Sequence, residues 1–136
     1  MTLRHAAALA LIAMSAPVPL SAAMLDGKQP FICATLEVFS CDAGLDCEKE
    51  TVAAVDVPQF LRISLADKNM VGTRPSGEAV NAPIELVRQT DQRLYLQGVV
   101  NKLGWTINVS TGNGKMTLVA SDDVTGYVIF GACTPH

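Results

Sequence analysis

The residues with the widest choice of chemistry are four cysteines, at positions 33, 41, 47 and 133. Thiols can ligate zinc, exchange redox equivalents or pair as disulfides, and their spacing discriminates among these uses. Four-thiolate zinc sites are usually built from two close C-x2-4-C pairs, and redox exchange prefers C-x-x-C. Neither pattern is present, and the histidines, His5 and His136, stand outside the cysteine-bearing body. Disulfides remain, with three connectivities open on paper. The spacing favours Cys41 with Cys47, closing the short loop Asp42, Ala43, Gly44, Leu45, Asp46, and Cys33 with Cys133, joining the two ends of the body. Their expected role is to staple a small fold.

Other constellations are weaker. Ser-His-Asp and Cys-His mechanisms need an imidazole held in place, and His136 is the final residue. No G-x-S-x-G, phosphate-binding loop or dinucleotide fingerprint occurs; Gly112-Asn113-Gly114-Lys115 reads as a hairpin turn. Carboxylate pairs such as Asp122 with Asp123 or Glu48 with Glu50 fall where solvated acidic residues are ordinary. Asp42, Asp46 and Glu48 cluster around the small cysteine loop, but their spacing does not match a calcium loop of the D-x-D-x-D kind. Asn108-Val109-Ser110 fits a glycosylation acceptor yet lies inside a strand pattern. The expectation is therefore a protein that is not an enzyme and uses no metal or cofactor. Trp105, the single tryptophan, either plugs the core or floors a small apolar pocket at a barrel mouth.

Residues 1–23 run from a basic start (Arg4, His5) through apolar stretches to Ser21, Ala22 and Ala23, the pattern of a cleaved secretory signal. Export places the cysteines in an oxidising, periplasmic or secreted setting. Residues 24–136 are expected to form a single domain. Removing the leader takes one positive charge from a chain whose formal net charge is already −3. A mildly acidic surface gains nothing from counterion release, so nucleic acid is excluded as a partner and anionic membrane surfaces are disfavoured. After the leader no apolar run approaches the roughly 20 residues of a membrane span.

The elements that would position these groups are strands. Apolar residues alternate with period two from Gln29 onward, and turn residues recur every eight to twelve positions. Strands are predicted over 31–40, 61–65, 70–73, 82–89, 93–100, 105–110, 116–120 and 126–133. Thr90-Asp91-Gln92, the Thr111 to Gly114 stretch and Ser121-Asp122-Asp123 supply the turns. The fold class is all-β: a small antiparallel meander of about 7–8 strands, closed as an up-and-down barrel or left as a half-open two-layer version, and stapled by disulfides. An immunoglobulin-like sandwich fits less well, because Trp105 follows three cysteines instead of lying between a central pair.

In the first strand Ile32, Ala34, Leu36 and Val38 are expected inside, with Cys33 on the outer face. Cys133 would then face outward too. Tyr127 and Ile129, in phase with it, would form an exposed partner surface, a homodimer contact or a face covered by residues 24–30. A bulge after Gly126 or at Gly131 would instead turn both inward.

The segments Phe31-Ile32-Cys33-Ala34-Thr35-Leu36-Glu37-Val38-Phe39-Ser40-Cys41 and Gly126-Tyr127-Val128-Ile129-Phe130-Gly131-Ala132-Cys133-Thr134, with Leu96-Gln97-Gly98-Val99, Gly104-Trp105, Thr111-Gly112 and Lys115-Met116-Thr117 between them, resemble small exported proteobacterial proteins of unknown function. That resemblance implies an envelope or secreted setting and brings no activity. A looser similarity to bacterial lysozyme inhibitors rests on size, export, β-content and a terminal cysteine. Two functions are expected from these readings. The first is a non-enzymatic binding module for a small apolar ligand, at Trp105, or for an envelope protein partner. The alternative is an inhibitor of a secreted hydrolase such as lysozyme or a protease, presenting the rigid loop with Asp42 and Asp46 to a basic enzyme.

Overall fold

The computed structural model describes residues 25–136, so the expected leader lies outside the described residues. Among the described residues there is no helix. Ten antiparallel strands make one sheet: β1 (Phe31–Asp42), β2 (Cys47–Glu50), β3 (Phe60–Ser64), β4 (Asn69–Thr73), β5 (Ala79–Pro83), β6 (Leu86–Gln89), β7 (Arg93–Val100), β8 (Leu103–Ser110), β9 (Lys115–Ser121) and β10 (Thr125–Pro135). The spatial order is β5-β4-β3-β1-β10-β9-β8-β7-β6, with β2 added beside β1. The sheet curls into a half-barrel whose concave face carries the core.

That face is built from rows of side chains running across the strands, as cross-strand pairing requires. One row is Leu94, Val109, Met116, Gly131 and Thr35; the next is Leu96, Ile107, Leu118, Ile129 and Val38; the third is Gly98, Trp105, Ala120, Tyr127 and Ser40. Large and small residues alternate within the third row. A Cβ on Gly98 would stand 2.6 Å from Trp105 Cζ2, so the missing side chain is the space into which the indole lies. Phe31, Ile63, Leu94, Leu96 and Ile107 are fully buried, each contributing about 1.5–3 kcal/mol by transfer from water.

β1 is where phase changes. One of its edges pairs with β10 over its whole length; the other pairs with β3 at residues 31–34 and with β2 at residues 38–41. Between the two, Thr35 stands opposite Gly131 and Glu37 opposite Phe130, leaving Leu36 as an extra residue in a β-bulge. Phe31, Cys33 and Thr35 therefore face inward before the bulge and Val38 after it, while Leu36 is 66% exposed. The expected inner set of Ile32, Ala34, Leu36 and Val38 is corrected to Val38 alone. A threonine can sit inside because its hydroxyl donates to Pro58 O and its N–H to Gln59 O.

The same correction applies to β10. Cys33 and Cys133 are both buried and bonded to each other, and Ile129 shares their face at 4% exposure. Tyr127 is half-buried on that face, whereas Phe130 is 42% exposed outside, edge-on to Phe39. Tyr127 and Ile129 are thus core, not a partner surface; the phase-shifting bulge lies in β1, not in β10. Residues 24–30 were the expected cover for them, yet Leu25 packs at the other end of the sheet, its N–H donating to Thr111 O.

The meander is interrupted twice. β2 and β3 follow each other without pairing, and β1 lies between β3 and β10. The single strand predicted over 82–89 is two, because Pro83 has no N–H for a ladder. Beyond it, Ile84 N–H donates back to Lys68 O and Glu85 N–H donates forward to Gln97 O. Two residues thus carry the chain from one edge of the sheet to the other, and the edges meet where Pro83 O would lie 2.2 Å from a Cβ on Gly98. The second disulfide, Cys41 to Cys47, closes the β1–β2 hairpin.

Candidate functional site

The second and third rows of the concave face and the segment over them form a half-open apolar pocket of about 140 Å³. Its floor is Trp105, Leu118, Ala120, Tyr127 and Ile129; Leu61, Met70 and Val80 form one side, and Val55, Val57 and Pro58 form the roof. Val100 and Leu103 close the rim. They are held there by a two-residue turn in which Asn101 and Lys102 both have positive φ, 49° and 69°, the backbone of a type I′ hairpin whose twist matches the strands.

The roof is a run of turns between β2 and β3. Val55 and Ala54 N–H groups both donate to Thr51 O, Val57 N–H donates to Val52 O, and Val52, Val55 and Val57 pack their side chains onto the core. Asp56 fastens this segment to the β4–β5 turn. Its carboxylate accepts from Ser76 N–H and Ser76 Oγ, each at 2.9 Å, and its carbonyl accepts from Arg74 Nη1. These bonds hold the Asp56 carboxyl below its ordinary range, the Ser76 backbone N–H first, then the Ser76 hydroxyl, with the Arg74 charge adding to them.

Arg74 is the charged residue of the cavity wall, its side chain 19% exposed. Nε lies 3.5 Å from Glu78 Oε2, close enough for Coulomb attraction but not aligned for a hydrogen bond, and it is buried without a partner. Trp105 is 4% exposed, and its Nε1, also buried, has no partner. The wall therefore carries two unmatched buried donors, with the hydroxyl-bearing Thr35 and Tyr127, in a mostly apolar lining, the composition of a small-molecule pocket.

Of the residues singled out in the sequence, Trp105, Tyr127 and Ile129 come together here, the last two for a reason opposite to the one expected. The acidic loop lies elsewhere. Asp42 accepts from Thr125 Oγ1 at 2.8 Å, and Asp46 is exposed beside Leu45, itself 73% exposed. Asp42, Asp46 and Glu48 do not converge, and among the described residues no three potential ligands group around a metal position. Asn108, of the glycosylation pattern, is half-buried in β8. Sequence reasoning missed Arg74 and the 51–58 roof. The signal available was Val52, Val55 and Val57, apolar residues in a stretch with neither strand nor helix period. Comparison of the chain with protein-family models, with curated proteins and with solved structures finds no match in any of the three.

Proposed function

We propose that this chain is an exported, non-enzymatic binding module that holds a small apolar ligand in the cavity floored by Trp105. The observation that carries the reading is a half-open apolar pocket of about 140 Å³ set into the core beside Trp105. Protein interiors normally fill such space, because each unfilled Å³ costs about 24 cal/mol. An apolar cavity of about 150 Å³ is enough to take benzene, so the ligand is of one-ring or short-alkyl size. The two disulfides are consistent with an oxidising compartment, which supports export. Trp105, being the single tryptophan and part of the wall, reports occupancy directly. Native mass spectrometry of protein purified from its own compartment should show an added small mass, and titration with toluene should change Trp105 emission saturably. No added mass and no saturable change would refute the reading.

A second reading, inhibition of a secreted hydrolase, draws on the β1–β2 hairpin tip. Leu45 is the most exposed large apolar side chain of the described residues, on a loop closed by Cys41 and Cys47 and flanked by Asp42 and Asp46. A preformed loop with one apolar anchor loses little entropy on entering a cleft. Loss of lysozyme or protease activity in the presence of excess protein, restored by Leu45→Asp, is the expected result; full activity across the panel would eliminate it.

A further inference from the structure

We infer that the cavity's ligand is an amphipathic monoanion: an apolar body of one-ring size carrying a carboxylate that meets the Arg74 guanidinium. The inference rests on the binding-module reading and narrows its ligand class. The polar atoms left unmatched in the lining, Arg74 Nε and Trp105 Nε1, are both donors. Thr35, the wall's hydroxyl on β1, has already spent its proton on Pro58 O. A purely hydrocarbon occupant offers the buried, unmatched Arg74 Nε no partner, whereas an oxygen acceptor does, and a charged acceptor forms the stronger bond with a guanidinium.

Arg74 is also placed to act as a receptor. Of its five N–H groups, one is committed to Asp56 O. Its ion pair with Glu78 is open to exchange, since Nε lies 3.5 Å from a carboxylate whose side chain is 61% exposed and free to swing into water. An incoming carboxylate thus replaces a poorly aligned, solvated partner with an aligned, desolvated one. The roof residue Asp56 does not compete, as its carboxylate is taken by Ser76. Besides Tyr127, which carries a hydroxyl, the lining residues Val55, Val57, Leu61, Met70, Leu118 and Ile129 offer only apolar atoms.

The test compares 3-phenylpropanoate with n-propylbenzene, which share an apolar body and differ in the carboxylate, by Trp105 fluorescence and calorimetry at neutral pH and low salt. The acid should bind about tenfold or more tighter than the hydrocarbon, as one charge-assisted contact in a desolvated site implies. Arg74→Gln should bring the ratio of acid to hydrocarbon affinity down to about one, whatever it does to n-propylbenzene binding itself, and Arg74→Lys should keep part of the ratio. If Arg74→Gln fails to fold, the wild-type difference and the behaviour of Arg74→Lys still decide. Equal or weaker binding of the acid would overturn the anionic head and leave the apolar pocket standing. Binding of neither compound would overturn both.

Discussion

Replacing Ala120 with leucine should stabilise the protein and abolish ligand binding together. Ala120 is half-buried between Trp105 and Tyr127 in their cross-strand row, and its methyl lines the cavity. Leucine adds three carbons pointing into that space. Burying them is worth about 0.8 kcal/mol each, or about 2.4 kcal/mol in total. The cavity route gives a similar ceiling, since filling about 140 Å³ at about 24 cal/mol per Å³ returns about 3.4 kcal/mol, and leucine fills part of it. A gain of about 2 kcal/mol raises the melting temperature of a domain this size by roughly 8–16 °C. Thermal unfolding followed by circular dichroism, paired with toluene or 3-phenylpropanoate titration, measures both effects on one sample. In a filled core the same change would overpack and cost about 1–3 kcal/mol. A destabilised variant that still binds would therefore refute both the void and its assignment as the ligand site.

Further outcomes follow from other contacts. Ile129→Asp should abolish folding or cost several kcal/mol, because a carboxylate would be buried at a position 4% exposed; a folded variant with unchanged melting temperature would contradict the inward phase of β10. Gly98→Ala should cost about 1–3 kcal/mol, its Cβ meeting Pro83 O at 2.2 Å and the Trp105 ring at 2.6 Å, and should shift Trp105 emission. Converting Cys33 and Cys133 to alanine releases a bridge spanning 100 residues, worth about 4.7 kcal/mol of loop entropy, against about 2 kcal/mol for the bridge of Cys41 and Cys47; chemical denaturation of the two double variants should rank them in that order. Asp56 titrates below its ordinary 3.8, so the tie it makes to Ser76 is present at neutral pH and is lost as the pH falls through that lowered value. Protection against hydrogen exchange across residues 52–57, corrected for the intrinsic rate, should fall on acidification below 3.8, and Asp56→Asn should show the loosened roof already at neutral pH.

Much of the scaffold was legible because its signals are local. The β8–β9 hairpin, the polar turns at Thr90 to Gln92 and Ser121 to Asp123, and the pairing of four cysteines all follow from residue type and spacing over a few positions. β2 was invisible. Cys47-Glu48-Lys49-Glu50 has no apolar face, and it is a strand because the Cys41 to Cys47 bond and the edge of β1 hold it there. The phase of β1 failed for a different reason. Ile32, Ala34, Leu36 and Val38 form an unbroken apolar alternation, and so do Phe31 and Cys33 on the other face. Only the third-strand partner chooses between them: β3 pairs with the first half, β2 with the second, and Leu36 is squeezed out where the two meet. A two-residue period cannot announce a bulge whose cause is 25 residues away in Gln59 and Phe60.

The candidate site was half legible for the same physical reason. Trp105 announces itself as the largest side chain in a clean alternation, but what turns its surroundings into a pocket is contributed by segments with no period of their own. The roof of Val55, Val57 and Pro58 stands over the row instead of filling it, because Asp56 anchors it outward to Ser76 and Arg74. Gly98 makes room for the indole, and Ala120 keeps the row shallow on its other side. Had position 120 carried the leucine or isoleucine that its neighbours in the middle row carry at 118 and 129, the core would close and the roof would be ornamental. A chain under selection for stability alone gains from that substitution, at little cost to the fold. Ala120 on the pocket floor, beneath a roof tied from outside and beside an arginine whose N–H groups are mostly unengaged, is what the proposed ligand site requires and stability alone does not.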